Sequence, residues 1–569
     1  MLHFRLPAAA TLVALAATML IGPSHALAQQ RTAVLAPAAD LILTNGRIYT
    51  VDSDRPMVRA MAVRDGKVAF VGSDSGVMAL RGAGTRVIDL AGRTVIPGMV
   101  DAHAHFLGLG TSLASVDLTG ARSYAEVIAR VVAKARTVPA GSWIQGRGWD
   151  QNDWGNTAFP THEALSAAVP DHPVLLTRVD GHANLANAAA MKLAGVDADT
   201  KDPAGGRIER DASGAPTGVF VDNAQGLVGR VVPASTPQQR RDALVAARDE
   251  MHRWGLTGIH DAGAARSTID LYEELAKAGE LQLRTYVMIG DSKPALDNYF
   301  ARGPQSALYG DMLWIRSIKL YADGALGSRG AALLDPYTDD PNNSGLLVTD
   351  PKHIEEVAER ALVGGFQVAT HAIGDRGNRV VLDAYEQALR AHPTVDHRFR
   401  VEHAQILNHD DIPRFAELDV IPSMQAVHQT SDMYWAGTRL GVSRLYGAYA
   451  WRSLMDTGMP VPNGSDFPVE RVNPLFSFHS AVSRQNDDNL PTGGWYPEQR
   501  MTREEALKSM TIWPAFAGFQ EHILGSLTPG KLADFVILDQ DIMRVPAELI
   551  LDTRVMATYV GGKAVYEAR

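Results

Sequence analysis

Six side chains of this 569-residue sequence have types suited to metal chemistry: His103, His105, Lys319, His371, His403 and Asp466. Taken singly, each has a plain structural explanation. A lone histidine is usually a hydrogen-bonded structural residue. Asp466 in Asn463-Gly464-Ser465-Asp466 fits a turn, and Lys319 fits a lysine laying its stem along apolar surface. Taken together they carry more, because each lies in or at the end of an apolar, strand-like run. His103 and His105, at i and i+2 of an extended segment, point to one side and can hold one cation between them. The sequence has no cysteine. Disulfides, thiolate zinc sites and a cysteine nucleophile are therefore excluded, and any metal needs nitrogen and oxygen ligands.

The elements that must position these residues read as strands alternating with helices. The predicted strands are 94–103, 256–261, 283–289, 314–321, 366–371, 399–403, 420–425 and 461–466. Predicted helices include 354–363, 378–391, 410–418 and 503–510, the last opened by Thr502 and Glu505 at capping-box spacing. Eight such strands predict an α/β fold, a closed (β/α)8 TIM-type barrel spanning 97–525, with an open doubly wound sheet as the alternative. In a barrel the C-terminal strand ends converge on one mouth, which brings the six residues together. The stretch from about 119 to 239 is too long for a loop and predicts an inserted subdomain over that mouth. Short β-rich runs separated by Asn45-Gly46, Asp65-Gly66 and Gly561-Gly562 occupy 29–96 and 526–569. Each is too small for a good core alone, so one β-sandwich built from both termini is expected.

The first 28 residues read as a secretory signal: Arg5, an apolar run from Ala8 to Ile21, and Ala26-Leu27-Ala28 as the cleavage pattern. The run is shorter than a spanning helix requires. A soluble mature protein exported across the inner membrane is expected, with a bacterial periplasm as the best-fitting compartment and no membrane association after cleavage. Hydrophobic residues make up 46% and charged residues 21% of the chain, which excludes wholesale disorder. With 54 Lys plus Arg against 64 Asp plus Glu, the net charge is -10, which argues against a nucleic-acid partner.

The motifs then carry a resemblance. Pro97-Gly-Met-Val-Asp-Ala-His103-Ala-His105 resembles the first-strand signature of the amidohydrolase superfamily. The segment from Lys319 through Asp323-Gly324 to Arg329-Gly330 narrows it, as do Thr370-His371-Ala-Ile-Gly374-Asp375, Glu402-His403 and Gly464-Ser465-Asp466. Together they are similar to the YtcJ-type metal-dependent hydrolases, the branch that includes N-substituted formamide deformylases. The resemblance runs from about Leu41 to the C-terminus. It implies that His103, His105 and Asp466 bind one divalent ion, zinc by default, and His371 and His403 a second. It implies too that Lys319, carboxylated by carbon dioxide, bridges the two ions. An ammonium cannot bind a cation, whereas a carbamate is an anionic two-oxygen ligand. Water shared by two such ions is acidified from 15.7 toward ~7, giving hydroxide to attack an amide carbonyl. Asp466 then serves as catalytic base and acid.

Weaker candidates surround this set. His182, in Asp180-Gly181-His182, could hydrogen-bond a substrate carbonyl or the tetrahedral oxyanion. Arg147 and Trp149 are candidates to line the pocket, and Arg329 to pair a substrate carboxylate or brace its loop. His260 and Asp261 are expected at the mouth, supporting the metal ligands. Trp154, Trp435 and Trp495 suggest an aromatic lining. Glu402 is expected to point away from His403 in a structural role. The leading expectation is a hydrolase of a non-peptide C–N bond in a small molecule, an N-acyl or N-formyl amine or a cyclic amide. The alternatives are an ester, lactone or carbamate hydrolase on the same site, and an exported binding or regulatory protein without turnover. A homo-oligomer is left open.

Overall fold

Parallel strands covered on both faces favour apolar runs, and most of the barrel strands of this chain are such runs, with polar residues where they reach the rim. A computed structural model of the chain describes residues 37–155, 158–394 and 396–569; the leader-like first 28 residues lie outside these. The eight strands are β1 (Met99–Ala104), β2 (Leu256–Ala264), β3 (Arg284–Gly290), β4 (Leu313–Tyr321), β5 (Gln367–Ala372), β6 (Arg400–His403), β7 (Ile421–Gln425) and β8 (Asn463–Gly464). Each pairs in parallel with the next in chain order, from β1 through β8.

β8 closes onto β1 through irregular backbone bonds in place of a regular ladder. The Asp466 amide donates to the His103 carbonyl at 2.8 Å, and the His105 amide to the Phe467 carbonyl at 2.9 Å. A Cβ at Gly464 would stand 2.5 Å from the His103 nitrogen, so only glycine allows this approach. The arrangement is a nearly closed barrel, not an open doubly wound sheet.

The first expected strand divides in two. Thr94–Pro97 pairs with Phe535–Leu538 and Arg47–Tyr49 in a six-stranded sheet built from both ends of the chain. Only Met99–Ala104 enters the barrel. A four-stranded sheet of 41–44, 60–64, 67–72 and 86–89 faces the first across a shared core that includes Leu43, Ile48, Val63, Val95, Phe535 and Tyr559.

Between β1 and β2 a second six-stranded sheet runs from Val116–Asp117 to Pro216–Asp222. Its own core holds Leu118, Val131, Trp149, Leu176, Leu185 and Val219. The helix Pro237–Arg253, which opens on a Thr236/Gln239 capping box, packs against the helix Phe106–Ala114. Among the described residues no helix is long and apolar enough to cross a membrane.

Candidate metal centre

Closure of the barrel brings the C-terminal strand ends to one rim. His103 lies in β1, and His105 caps the helix that follows. Lys319, His371 and His403 lie in β4, β5 and β6, and Asp466 follows β8. The Asp466 Oδ1 atom lies 3.0 Å from His105 Nε2 and 3.6 Å from His103 Nε2. Ligand atoms of His103, His105 and Asp466 all fall within 4.8 Å of one another. The His103 ring is 4.8 Å from that of His403, and His403 is 4.5 Å from His371. Lys319 is fully buried, with Nζ 4.2 Å from the Tyr321 ring centre.

The rim is held in unusual backbone. His403 has φ 73° and Asp466 φ 60°, left-handed conformations that non-glycine residues adopt at a cost of roughly 1–3 kcal/mol. Asp101 fixes one side of it. Its carboxylate accepts from the Ser465 hydroxyl at 2.6 Å, the Ser465 amide at 3.1 Å and the His103 amide at 3.1 Å. Burial pushes the Asp101 pKa up to about 7 despite these donors.

The imidazoles are oriented by oxygen acceptors. His103 Nδ1 donates to Glu402 at 2.5 Å, His403 Nδ1 to Gln425 Oε1 at 2.7 Å, and His182 Nδ1 to Asp222 at 2.7 Å. Such acceptors fix the tautomer and leave Nε2 as the ligand or hydrogen-bonding atom. Burial, reinforced by the Lys319 charge and opposed by Glu402, lowers the His103 pKa to about 4. Burial and neighbouring positive groups likewise hold His371 and His403 well below the usual range. Neutral imidazoles are what a cation requires.

Asp466 is anionic. Burial would raise its pKa, but hydrogen bonds to His105 and His428 and the charges beside it hold it well below the carboxylate range. Burial lowers the Lys319 amine to about 8, against the pull of Glu402 and Asp466. At the rim, Lys319 Nζ and His371 Nε2 are buried without a hydrogen-bond partner among the described residues, although Asp323 Oδ1 stands 3.5 Å from His371 Nε2. Neutral nitrogens, an anionic carboxylate and orphaned buried atoms fit a centre for divalent cations.

Other expected site residues fall elsewhere. Trp149 does not line the mouth: it is 1% exposed, donates from Nε1 to the Leu176 carbonyl, and packs on Trp154 and Phe159. The ladder shifts register between Arg147 and Trp149, where Gly148 has φ +104°, and such a bulge re-aims the side chain. Arg147 donates to the carbonyls of Pro468 and Val179, tying the insertion to the loop that carries Asp466. Arg329 is engaged by Asp339 at 2.9 Å, the bracing role and not a free anion receptor. The Trp154, Trp435 and Trp495 rings pack on Tyr124, Arg439 and Tyr449 in turn and form no common lining.

His260 acts at one remove from the ligands. Its Nδ1 meets Arg400 at 2.7 Å beneath the rim, and Arg400 Nε in turn meets Glu402 at 2.6 Å. Asp261 accepts from the Phe106 amide and the Tyr272 hydroxyl, so it anchors the helix that His105 caps. Glu402 supports His103 directly, contrary to the purely structural role expected of it. Strict alternation ends at His403, whose positive φ departs from extended backbone.

Sequence reasoning passed over Asp222, Gln425, Glu470 and His428. His428 Nε2 is 3.4 Å from Asp466 Oδ2, and its Nδ1 3.2 Å from Glu470. Burial disfavours a charge on His428, yet hydrogen bonds to these two carboxylates outweigh it and push the pKa up to about 10. A cation at Nε2 would have to displace the proton that these two carboxylates favour there. The available signal was a histidine three residues beyond the end of β7.

The Amidohydrolase family profile matches residues 86–566. LONG AFTER FAR-RED 3 of Arabidopsis thaliana is 37% identical, over 93% of this chain and 92% of its own. YtcJ of Bacillus subtilis is 33% identical, over 92% and 98%. The N-substituted formamide deformylase of Arthrobacter pascens is 28% identical, over 93% and 98%. Among solved structures, a metal-dependent hydrolase from Pyrococcus furiosus is similar at TM-score 0.70 and 31% identity, covering 89% of this chain and all of that one.

Proposed function

The chain belongs to the amidohydrolase family, and from that premise we propose that it hydrolyses a non-peptide C–N bond of a small molecule, an N-acyl or N-formyl amine or a cyclic amide. The observation that carries the reading is the rim itself: the imidazoles of His103, His371 and His403, which burial keeps neutral, gather with His105 at Asp466, whose Oδ1 lies 3.0 Å from His105 Nε2. His103, His105 and Asp466 would hold one divalent ion, and His371 and His403 a second, with zinc the natural choice for this donor set. Lys319 as its carbamate would bridge them. Its buried amine, lowered to about 8 and without a hydrogen-bond partner, keeps a neutral fraction able to add carbon dioxide.

Bound ions supply Lewis acidity that polarises a carbonyl and acidifies water. The chain's own groups do the rest. Asp466 takes the proton of the attacking water and returns it to the leaving nitrogen, base then acid. His182, its ring 5.1 Å from that of His371, donates to the carbonyl oxygen as charge develops. Asp222 supports that role: burial disfavours the imidazolium, but the hydrogen bond from Nδ1 outweighs it and raises the His182 pKa. The reading includes export to a periplasm, on the strength of the leader-like first 28 residues, and a small-molecule partner in place of nucleic acid or membrane.

The test is a panel of formamides, anilides, hydantoins and lactones assayed with the zinc-loaded chain. Cleavage of amides above lactones is expected. Lactone cleavage alone would replace the C–N reading with an ester one, and no turnover of any compound by metal-loaded protein would favour a binding role.

A further inference from the structure

Asp466 faces two sets of histidines with two different oxygens. Oδ1 addresses His103 and His105, at 3.6 and 3.0 Å, and Oδ2 lies 3.4 Å from His428 Nε2. Ligand atoms of His403, His428 and Asp466 fall within 4.8 Å of one another, as those of His103, His105 and Asp466 do. All three residues of the second group are buried.

The spacing has a physical meaning. Two donors each ~2.05 Å from a tetrahedral ion stand ~3.3 Å apart. The three Asp466–histidine distances bracket that value. At 3.4 Å, His428 Nε2 is far for a strong charge-assisted hydrogen bond, which closes to ~2.7–2.9 Å. The ring is also prepared as a ligand. Glu470 accepts a hydrogen bond from Nδ1 at 3.2 Å and is itself fixed by the Ser431 hydroxyl at 2.6 Å. The His428 and His403 rings lie nearly parallel with centres 5.9 Å apart, and His403 Nδ1 is occupied by Gln425. The remaining nitrogen of each ring is left for the space beside Asp466.

We propose that His428 is a cation ligand that forms a three-donor site with His403 and Asp466, so that the two oxygens of Asp466 bridge this site to the one at His103 and His105. The proposal rests on the reading of the rim as a metal centre. It adds a nitrogen donor from the β7 side of the barrel, where neither the strand-end pattern nor the resemblance put one. It also gives the centre a bridge that does not depend on modification of Lys319. The competing occupant of the space is a proton on Nε2, which would make His428 an imidazolium paired with Asp466 and Glu470.

The deciding experiment is an anomalous difference map from crystals of the full chain loaded with cobalt(II). A peak at bonding distance from His428 Nε2, ~2.0–2.3 Å, is expected. Peaks at His103 and His105 with none at His428 would overturn this proposal and leave the metal reading standing. No peak at any rim residue would sink both. Equilibrium dialysis of cobalt(II) against His428→Ala and Glu470→Ala gives a second measure. Loss of a ring-orienting partner costs ~10–100-fold in affinity. Glu470→Ala should fall in that range, and His428→Ala should exceed it or lose one bound equivalent. Unchanged binding by a folded His428→Ala chain would overturn the proposal, and the wild-type map decides if that variant does not fold.

Discussion

Glu402 and His103 come from β6 and β1, separated by 299 positions in the chain, and meet with Oε2 2.5 Å from Nδ1. Burial alone would raise the Glu402 pKa, but Arg400 and His103 hold it below its usual range, so the contact stays carboxylate to imidazole. Arg400 also reaches the Ala102 carbonyl and the Ser423 hydroxyl. Orientation of the first ligand is thus set by a buried network beneath the rim.

From this contact, Glu402→Gln should weaken divalent-ion affinity by ~10–100-fold, the effect of losing a carboxylate that orients a ligand imidazole. Equilibrium dialysis with zinc, on protein shown folded by circular dichroism, measures it. Unaltered affinity would reduce Glu402 to the structural role expected from sequence.

Asp466→Asn should lower kcat by ~10²–10⁴-fold, the range for a general acid–base group, while much of the metal stays bound by the imidazoles. Assay of the amide that the substrate panel identifies, with metal content measured on the same samples, checks both halves. Full activity in the asparagine variant would remove Asp466 from proton transfer.

Trp149→Ala should cost ~3–5 kcal/mol in stability, the usual penalty for deleting a fully buried aromatic side chain, with metal content unchanged. Denaturant unfolding measures the first and metal analysis the second. Wild-type stability with an altered substrate preference would restore the pocket-lining role that the structure denies it.

Acid sensitivity is readable at Glu505. It receives Arg452 at 2.6 and 3.0 Å and the Thr502 amide at 2.7 Å. The Arg452 hydrogen bonds, opposed by burial and aided by Thr502, lower its pKa to about 2. A folded-state pKa below the unfolded one gives stability that is complete above the unfolded value, near 4.5, and lost as pH falls toward 2. Glu505→Gln should therefore be less stable than the parent at pH 7, with the gap shrinking through that window. A gap that stays constant from pH 7 to pH 3 would contradict the assignment.

Much of this was legible in the sequence. Most barrel strands stood out because a parallel strand buried on both faces is an apolar run, and the six rim residues stood out because such strands end at one mouth. The capping box at Thr502 and Glu505 was readable because both partners lie within one turn. What stayed hidden depends on backbone direction and on partners distant in the chain. Trp149 turns inward at a bulge that no spacing rule announces. Glu402 reaches across the barrel to His103, a partner 299 positions away in the chain. Gln425, Asp222 and Glu470 matter only through the histidines they touch, and His428 lies on the first turn of a helix, off the strand-end pattern that drew attention to the others.

The central claim is that these histidines and Asp466 form a centre for divalent ions. Metal analysis of the chain, stripped with a chelator and reloaded with zinc by dialysis, tests it most directly. Up to two ions should bind per chain, with hydrolytic activity lost on stripping and recovered on reloading. A folded chain that binds no zinc at the rim, or one whose activity is indifferent to the metal, would contradict it.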